Sequence, residues 1–427
     1  MKKLSVFALA ALLLVAFTAP AMAIEHQFGG MWFTKFWTNK DFHISDITTP
    51  AGIDEETEEV IPPTDNNVDQ ARVDTRTRLY YTAVFSENFK FVNKFEMDAV
   101  WGDQDSASYG DLGADGVKVE VKHSYADFNL GVNNFRVGVS GQWMGKGYIF
   151  DYDAPNVTWI GKFSDMVTLA AAWTRATEGG KGKDPLTLEK MNDYDADFYF
   201  FTPTLSFGEG MTLEFPIALY NTDNALLDAN IWWFGVQFDG AVAGLTYDVN
   251  FYMNAGDAND VDQKGYALSG GLGFDMGMAD VYGSFAYCSG DDDPLDGENS
   301  AYRGDWGFVG FSEVLGEGTF WADTPNSADY YFPEPSNIFW LKAGAGFKPM
   351  ENLKLNADII WAKLAEENAF GEDELGVEFD VKAAYTIIEG LKLDIIGGYL
   401  WAGDGVSPTG TADNDPWELG AQLSLSF

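Results

Sequence analysis

Apolar and polar residues alternate with a period of two along most of the chain that follows the first two dozen residues. In 375–387, the odd positions are Leu, Val, Phe, Val, Ala, Tyr and Ile, and the even positions are polar or small; 245–254 repeats the pattern. Successive side chains of a β-strand point to opposite faces, so the alternation predicts strands with one apolar and one polar face. No long segment has the apolar spacing of three and four residues that an amphipathic helix needs.

The phase of the alternation predicts eighteen strands, and two classes of connection alternate between them. Short turns rich in Gly, Asn and Pro, such as 86–88 and 348–352, are followed by longer and often acidic loops, such as 38–70 and 290–336. Short turns at one end of a sheet and long loops at the other are typical of an outer-membrane barrel. The predicted strands are 27–37, 71–85, 89–101, 117–128, 135–144, 156–163, 167–176, 195–207, 211–221, 229–239, 245–255, 265–275, 280–289, 337–347, 353–364, 375–387, 391–402 and 416–427.

Strand length and aromatic placement favour a membrane barrel over a soluble sandwich or propeller, whose strands also alternate. The predicted strands have about 10 to 13 residues, enough to cross a bilayer when tilted, whereas soluble strands most often have about 5 or 6. We expect an all-β, transmembrane antiparallel β-barrel of about 18 strands, with 16 as the alternative count. Aromatic residues at both strand ends resemble the two girdles of such barrels: Trp101, Trp361 and Trp401 near the loops, and Phe89, Phe207 and Phe347 near the turns.

The first 23 residues have the features of a secretory signal peptide. Lys2 and Lys3 precede an apolar segment from Leu4 to Phe17, and residues 21–23 (Ala-Met-Ala) have the small-x-small pattern of a cleavage site. The apolar segment is too short for a membrane anchor, which is the alternative interpretation. We therefore expect residues 1–23 to be removed on export and residues 24–427 to form one transmembrane β-barrel domain.

Composition and motifs exclude several function classes. The 427 residues carry a formal net charge of −40, which makes nucleic acid an improbable partner. Cys288 is the only cysteine, so neither an intrachain disulfide nor a cysteine zinc site can form. The three histidines are His26, His43 and His123, the last in the outward phase of its strand, and there is no GxSxG, P-loop or HExxH motif. We predict that the protein is not an enzyme and has no cofactor.

The last strand carries a resemblance to a known class of protein. Alternate positions from residue 417 to 427 are apolar, and the chain ends on phenylalanine, which resembles the C-terminal assembly signature of bacterial outer-membrane barrels. Together with the signal segment and the pattern of turns and loops, the chain resembles porins of sixteen to eighteen strands, which include general diffusion channels and channels specific for sugars or carboxylates. The residues that carry the assembly signature are Trp417, Leu423, Leu425 and Phe427.

The resemblance implies a bacterial outer-membrane porin: a water-filled channel for passive diffusion of ions and small hydrophilic solutes. It also implies contact with outer-membrane lipid and lipopolysaccharide, recognition by the barrel-assembly machinery, and a homotrimer. The alternatives are a channel specific for an anionic solute or a sugar, and a plugged barrel that acts as a structural or partner-binding surface protein. The chain departs from general porins at its third loop, 145–155, which is too short to be the long inserted loop that constricts them.

Basic residues concentrate on the polar phase of the first strands after the N-terminal one. Eight of them lie between residues 72 and 136, and adjacent strands place them on one wall of the lumen. Such a basic ladder attracts and orients anions, unless the charges are merely solvated and paired with neighbouring acids. The predicted ladder is Arg72, Arg76, Arg78, Lys90, Lys94, Lys118, Lys122 and Arg136, and the acidic neighbours are Asp74, Glu96, Asp98 and Glu120.

We expect acidic groups to face this basic wall at the narrowest part of the pore. Asp151 and Asp153 of the third loop are the candidates, and loop 290–336 is the next candidate.

The acidic loops 38–70 and 290–336 predict a solvated rim. A more specific hypothesis is that they bind divalent cations, because carboxylates are suited to Ca²⁺ or Mg²⁺. Consecutive aromatics at 232–234 suggest a track for sugars, and a girdle or subunit contact explains them equally well.

Overall fold

The structure is a computed structural model, and it describes the chain in segments that include almost all of the predicted strands. These segments are residues 24–42, 48–49, 52–53, 60–61, 64–65, 70–102, 110, 119–179, 195–208, 210–224, 227–316, 318–320, 334–407, 410–412 and 414–427. The predicted signal segment, Lys118 and most of the acidic loop 38–70 lie outside the described residues.

The described residues form an antiparallel barrel of eighteen strands, and each strand overlaps one predicted strand. The ninth strand is interrupted at residues 215–216, where Pro216 cannot donate a backbone hydrogen bond. The strands are β1 Glu25–Lys40, β2 Gln70–Ser86, β3 Phe89–Val100, β4 Glu120–Leu130, β5 Asn133–Met144, β6 Phe150–Lys162, β7 Val167–Thr177, β8 Ala196–Ser206, β9 Met211–Glu214 with Ile217–Asn224, β10 Leu227–Val242, β11 Leu245–Ala258, β12 Tyr266–Asp275, β13 Ala279–Cys288, β14 Ile338–Met350, β15 Leu353–Leu364, β16 Glu374–Ile388, β17 Leu391–Ala402 and β18 Trp417–Ser426.

The first and last strands close the barrel. β1 pairs antiparallel with β18 from Met31–Ser426 to Lys40–Trp417, and with β2 on its other side. Every other wall strand pairs with its neighbours in sequence, so the wall has no free edge. Closure matters because a backbone amide or carbonyl that faces hydrocarbon without a partner costs several kcal/mol. Two short pieces, Val261–Gln263 and Glu298–Asn299, extend the barrel sheet in the loops, and four two-residue pieces between residues 48 and 65 form two separate two-stranded sheets.

The outer surface carries the apolar phase of the strands, as the alternation predicted. On β16, Phe379 and Val381 point outward and are 41% and 43% exposed, while Glu378 and Asp380 between them point inward. On β11, Val249 and Phe251 are likewise outward and exposed. An apolar exterior around a polar interior is the arrangement expected of a barrel whose solvent is lipid outside and water inside. None of the helices among the described residues is long and apolar enough to cross a membrane.

The hairpin made by β5 and β6 leaves the wall and enters the lumen. Pairing of β4 with β5 stops at Val139, and pairing of β6 with β7 starts at Asn156, so residues 140–155, which we call the lumen hairpin, extend beyond the wall on both sides. Its tip is tight because Gly145 and Gly147 adopt φ values of 65° and 84°, a left-handed conformation that glycine favours. Strand β6 begins at residue 150 rather than at the predicted residue 156, because residues 150–155 continue to pair with β5 inside the lumen.

The connection between β13 and β14, residues 290–336, is called the lumen loop, and its described residues 301–316 and 318–320 also fold into the barrel. Several of its aromatic and aliphatic residues are fully buried, among them Tyr302, Val314 and Leu315 at 0% exposure. Its first part is exposed, including Asp292, Asp293 and Leu295. The expectation of a solvated acidic rim is therefore wrong for residues 301–316, because their apolar side chains pack on the inner wall.

Candidate functional site: the barrel lumen

The structure places the predicted basic ladder on the inner wall formed by β2 to β5. Cross-strand pairing sets Arg76 opposite Asp98 and Arg78 opposite Glu96, on the face opposite the apolar exterior. Lys90 and Arg136 keep 48% and 41% of their side chains exposed although they point inward. Solvent therefore reaches this wall inside the barrel. All predicted ladder residues that the structure describes lie here: Arg72, Arg76, Arg78, Lys90, Lys94, Lys122 and Arg136.

The predicted acidic neighbours bind the ladder into one network. Arg76 donates two hydrogen bonds to Asp98, from Nε and Nη2, each of 2.7 Å. Glu96 is only 3% exposed and is shared among Arg78, Arg76 and Lys122, with N–O distances of 3.5 Å for the last two. A carboxylate shared by several cations leaves the wall positive around it. Further pairs are Arg72–Asp74, Lys90–Asp127 and Arg136–Asp127, with N–O distances of 3.5, 3.4 and 3.6 Å.

Lys94 differs from the other ladder cations because the described residues give it no carboxylate partner. Its ammonium group lies 5.1 Å from the centre of the Tyr80 ring, a cation–π contact. Its cross-strand neighbours are Tyr80 on β2 and His123 on β4. An inward-facing ammonium without a bound carboxylate is the ladder position most available to a passing anion.

A β-bulge in β4 places His123 in the lumen and corrects the predicted outward phase. The register shifts between Lys94 and Phe95, so that Lys94 faces His123 while Glu96 faces Glu120. The extra residue, Lys122, reverses the predicted phase of the residues that follow it, whereas Glu120 before it keeps the predicted inward phase. Lys122 and His123 both reach Asp153 of the lumen hairpin, at 3.0 and 2.9 Å.

Asp151 and Asp153 lie in β6, not in a loop as predicted, and Asp153 contacts the ladder directly instead of facing it across the pore. Asp153 binds Lys122 and His123, whereas the backbone amide of Asp151 donates to the Trp306 carbonyl of the lumen loop at 2.8 Å. The lumen hairpin thus stands between the ladder and the lumen loop. This position could not be read from the alternation, because the strand pattern continues unchanged where the hairpin leaves the wall.

The wall opposite the ladder is covered by the lumen loop. Trp306 packs against Phe198, Tyr220 and Trp233, with ring centres 5.0, 4.5 and 5.7 Å apart. Trp233 also donates from Nε1 to the Arg303 carbonyl at 3.0 Å and is fully buried. Its outward neighbours Trp232 and Phe234 stack on each other at the exterior. The sugar-track hypothesis therefore fails at Trp233, whose face is not available to a solute.

Two buried carboxylates fasten the lumen loop to β16. Backbone amides of Val314 and Leu315 donate to Glu378 Oε1 and Oε2 at 2.6 and 2.9 Å, and the Glu313 amide donates to Asp380 Oδ2 at 3.2 Å. A hydrogen bond of this kind contributes about 0.5–1.5 kcal/mol net, and a buried backbone amide left without its acceptor costs about 1–3 kcal/mol. We call Glu378 and Asp380 the carboxylate clasp. Sequence reasoning assigned both residues to the polar face without recognising a partner for them.

Aromatic stacking continues the attachment around the barrel. Phe311 stacks on Trp340 with ring centres 5.1 Å apart, and Lys342 donates to the Phe311 carbonyl at 3.0 Å. Phe320 stacks on Trp37 of β1 at 6.4 Å. The described part of the lumen loop therefore contacts the wall from β8 to β1, and none of the contacts named above is with a residue of the ladder on β2 to β5.

Sequence reasoning missed a second group of inward-facing lysines, each paired with an acid. Lys354 contacts Asp280 at 3.0 Å, and Lys382 and Lys392 share Asp394 at 3.5 and 2.9 Å. Lys342 contacts Asp358 at 3.5 Å. The lysines occur one per strand on β14 to β17, and pairing of these neighbouring strands brings them onto one wall. The only feature of the sequence that could have identified these lysines is their position in the polar phase of the alternation.

Charged groups of the lumen loop lie close to one another. Arg303 pairs with Asp305, and burial together with the charge of Asp305 raises the pKa of Glu334. Burial also raises the pKa of the Tyr302 phenol, whose hydroxyl donates to the Tyr148 carbonyl at 3.0 Å. Among the described residues, no group of three or more His, Cys, Asp or Glu side chains could hold a metal ion. The predicted divalent sites of loop 38–70, and Asp323 and Asp329, lie outside the described residues.

Solved structures with the same fold are outer-membrane porins. The similar structures include Pseudomonas aeruginosa OccK8 (OprE), at 13% identity and a TM-score of 0.56 over 94% of this chain and 98% of that one. The outer-membrane protein OpdK of the same species matches at 11% identity and a TM-score of 0.56, over 94% of this chain and 99% of that one. A BenF-like porin from Pseudomonas fluorescens Pf-5 matches at 13% identity and a TM-score of 0.53, over 94% of this chain and 99% of that one.

The described residues therefore form an eighteen-stranded antiparallel barrel with the fold of outer-membrane porins. A family profile described as alginate export matches residues 190–416, just over half of the sequence. The chain belongs to the alginate export family. No curated protein sequence matches it.

Proposed function

We propose that the protein forms a water-filled channel for passive diffusion of ions and small hydrophilic solutes, in which anions follow the basic ladder. The observation that carries this proposal is the asymmetry of the lumen. Inward-facing Lys90 and Arg136 on β3 and β5 are close to half exposed, whereas inward-facing Phe198, Trp233 and Tyr252 on β8 to β11 are fully buried under the inserted segments. The remaining aqueous path therefore runs along the charged part of the lumen, which includes the ladder and the equally exposed inward lysines of β15 and β17, Lys354 and Lys392 at 45% and 43%.

The inserted segments favour small solutes. An empty barrel of sixteen to eighteen strands encloses an aqueous channel. Here the lumen hairpin reaches from the ladder to β10 and β11, because Lys146 contacts Asp239 at 2.5 Å and Asp248 at 3.4 Å. The lumen loop covers the wall beyond it. A path limited to one side of the lumen selects by size and by charge.

A second candidate is passage of an acidic polysaccharide, as the family description, alginate export, suggests. The observation that favours it is the continuous run of cations from β2 to β5, which suits a chain of carboxylates. A polymer needs a wider path than a single sugar acid, so this candidate requires the lumen loop to move aside.

Planar-bilayer recording of the purified protein in a KCl gradient tests the proposal. We expect ohmic single-channel steps and a reversal potential that favours chloride at low salt, because the ladder is confined and less screened than the outer loops. Interruption of the current by an oligouronate, with little effect of a single sugar acid, supports the polysaccharide candidate. Absence of steps contradicts both and favours the plugged-barrel alternative.

We further propose that residues 1–23 are removed on export, that the barrel contacts outer-membrane lipid and lipopolysaccharide, and that it assembles as a homotrimer. The terminal strand supports recognition by the barrel-assembly machinery. Phe427 exchanges two backbone hydrogen bonds with Gly30, of 2.9 and 3.2 Å, and its ring is 63% exposed on the outer surface. An aromatic group at this exposed end of the closing strand is available to the machinery before β1 and β18 pair.

Phe427→Asp is expected to lower the amount of assembled barrel in the outer membrane several-fold without changing export to the periplasm. The physical reason is that a carboxylate replaces an apolar ring on the lipid-facing surface, at the point where the barrel closes. Cell fractionation followed by heat-modifiable electrophoretic mobility measures both quantities. Phe427→Trp is the matched control and should assemble normally; normal assembly of the Asp variant would contradict the terminal-signature hypothesis.

A further inference from the structure

Asp153 is part of the lumen hairpin, but its carboxylate lies between basic side chains of the inner wall. Its Oδ2 lies 3.0 Å from Lys122 Nζ, and its Oδ1 lies 2.9 Å from His123 Nε2. Lys94, which has no carboxylate partner among the described residues, faces His123 across β3 and β4. Lys122 also contacts Glu96 at 3.5 Å, so Asp153 is the second carboxylate of that lysine.

The wall holds a carboxylate in this position with several donors. Lys122 supplies an ammonium group, and His123 supplies a ring nitrogen that lies 3.0 Å from the Gly141 amide as well as 2.9 Å from Asp153. The Nε2 atom can accept from Gly141 when it carries no proton, or donate to Asp153 when it does. Side chains of Asp153, Lys122 and His123 are 28%, 30% and 15% exposed, so the position is open to the lumen.

The lumen hairpin has anchors that are independent of Asp153. Tyr148 stacks on Tyr252 at 5.3 Å, and its carbonyl accepts from the Tyr302 hydroxyl. Phe150 is 3% exposed and packs on Phe198 and Phe200, with ring centres 4.9 and 5.1 Å away. Burial of such aromatic groups stabilises the hairpin far more than a partly exposed ion pair does. The hairpin is therefore expected to stay in place when Asp153 loses its charge.

We infer that Asp153 is a tethered counter-ion, which competes with the carboxylate of a passing solute for Lys122 and His123 and thereby sets how tightly the channel holds anions. The inference rests on the proposed function, because it needs a conducting lumen lined by the ladder. A solute carboxylate that displaces Asp153 also meets the unpaired ammonium of Lys94. Because the Asp153 carboxylate partly neutralises Lys122 and His123, a solute carboxylate is oriented by these groups but bound only weakly, and it is therefore released.

Gluconate, a sugar acid with one carboxylate, is the probe that tests this inference. Current noise or block by gluconate in a planar bilayer gives its apparent affinity for the channel. A tethered competitor acts at an effective concentration of about millimolar or more. We expect Asp153→Asn to raise the apparent gluconate affinity roughly threefold to tenfold and to move the reversal potential toward anions. Asp165→Asn is the matched control, because Asp165 lies fully exposed in the turn after β6 and contacts only Lys162 at 3.2 Å.

A second variant distinguishes competition from a general change of charge. Lys122→Gln is expected to have little effect in the wild type, where Asp153 already neutralises this lysine, and to abolish the gain in the Asp153→Asn background. Single-channel conductance close to that of the wild type shows that the hairpin is in place. Additive effects of the two substitutions, or wild-type gluconate affinity in Asp153→Asn, overturn the inference.

The same recordings separate this inference from the proposed function. A wild-type channel that conducts and prefers anions, together with an Asp153→Asn variant that behaves like it, rejects the tethered counter-ion alone. A wild type without conductance rejects the proposed function and the inference with it.

Discussion

Replacement of Arg72, Arg76 and Arg78 by serine is expected to shift the reversal potential of the channel from anion preference toward cations. These arginines neutralise Asp74, Glu96 and Asp98, two of which lie within 3 Å of an arginine nitrogen. The triple variant removes three positive charges and leaves those acids on the same wall. A charge that faces a confined lumen acts through little screening, so the sign of the selectivity is expected to change.

Reversal potentials measured at several salt concentrations check this result. Lys264→Ser is the matched control: it removes one cation from an exposed outer loop, where Lys264 pairs with Glu298, and it should alter the potential only slightly and only at low salt. An unchanged potential in the triple variant means that ions pass elsewhere, and the lumen loop would then be the next segment to examine.

Removal of the lumen loop is expected to raise the single-channel conductance. Replacing residues 301–336 by a short Gly-Ser linker takes away the segment that covers β8 to β1, and the conductance should rise about twofold or more, because an uncovered barrel of this size encloses a wide channel. Recordings in 1 M KCl minimise the contribution of surface charge and report the width of the path. An unchanged conductance would show that the loop does not limit the current.

The carboxylate clasp offers a milder variant for the case in which loop removal impairs assembly. Glu378→Gln with Asp380→Asn keeps the side-chain shape but replaces an acceptor oxygen of each residue by an NH₂ group, so the amides of Val314 and Leu315 can no longer both be bound. We expect open-channel noise and transient steps of higher conductance as the loop detaches. Asp394→Asn is the matched control, since Asp394 lies on the same inner wall but pairs with Lys382 and Lys392.

The strands of the barrel wall and their inward faces could be predicted from the sequence, because each strand meets lipid on one face and water on the other. The period-two pattern therefore located all eighteen strands and the polar phase on which Arg72, Arg76 and Arg78 lie. Errors occurred where that pattern is interrupted without a sequence signal. The bulge at Lys122 moves His123 from the outward to the inward face by adding one residue to the pairing.

The inserted segments were harder to predict because their contacts are with residues far away in sequence. The acidic residues of 290–336 suggested a hydrated rim, yet the same stretch contains Tyr302, Trp306, Phe311 and Leu315, which are too apolar for one. That aromatic content was the available signal. Their partners, such as Trp340 and Phe198, lie on strands that only barrel closure brings around the loop.

The central claim is that the aqueous path runs along the ladder and that the wall formed by β8 to β12 is sealed by the inserted segments. Cysteine accessibility tests it most directly, because the only native cysteine, Cys288, is fully buried and should not react. An anionic thiol reagent added during recording should reduce the current of Lys90→Cys and Arg136→Cys channels. It should leave the wild type and Ser269→Cys unchanged, since Ser269 lies inward on the sealed wall and is 6% exposed. Block of the Ser269→Cys channel without any effect at positions 90 and 136 would contradict the account.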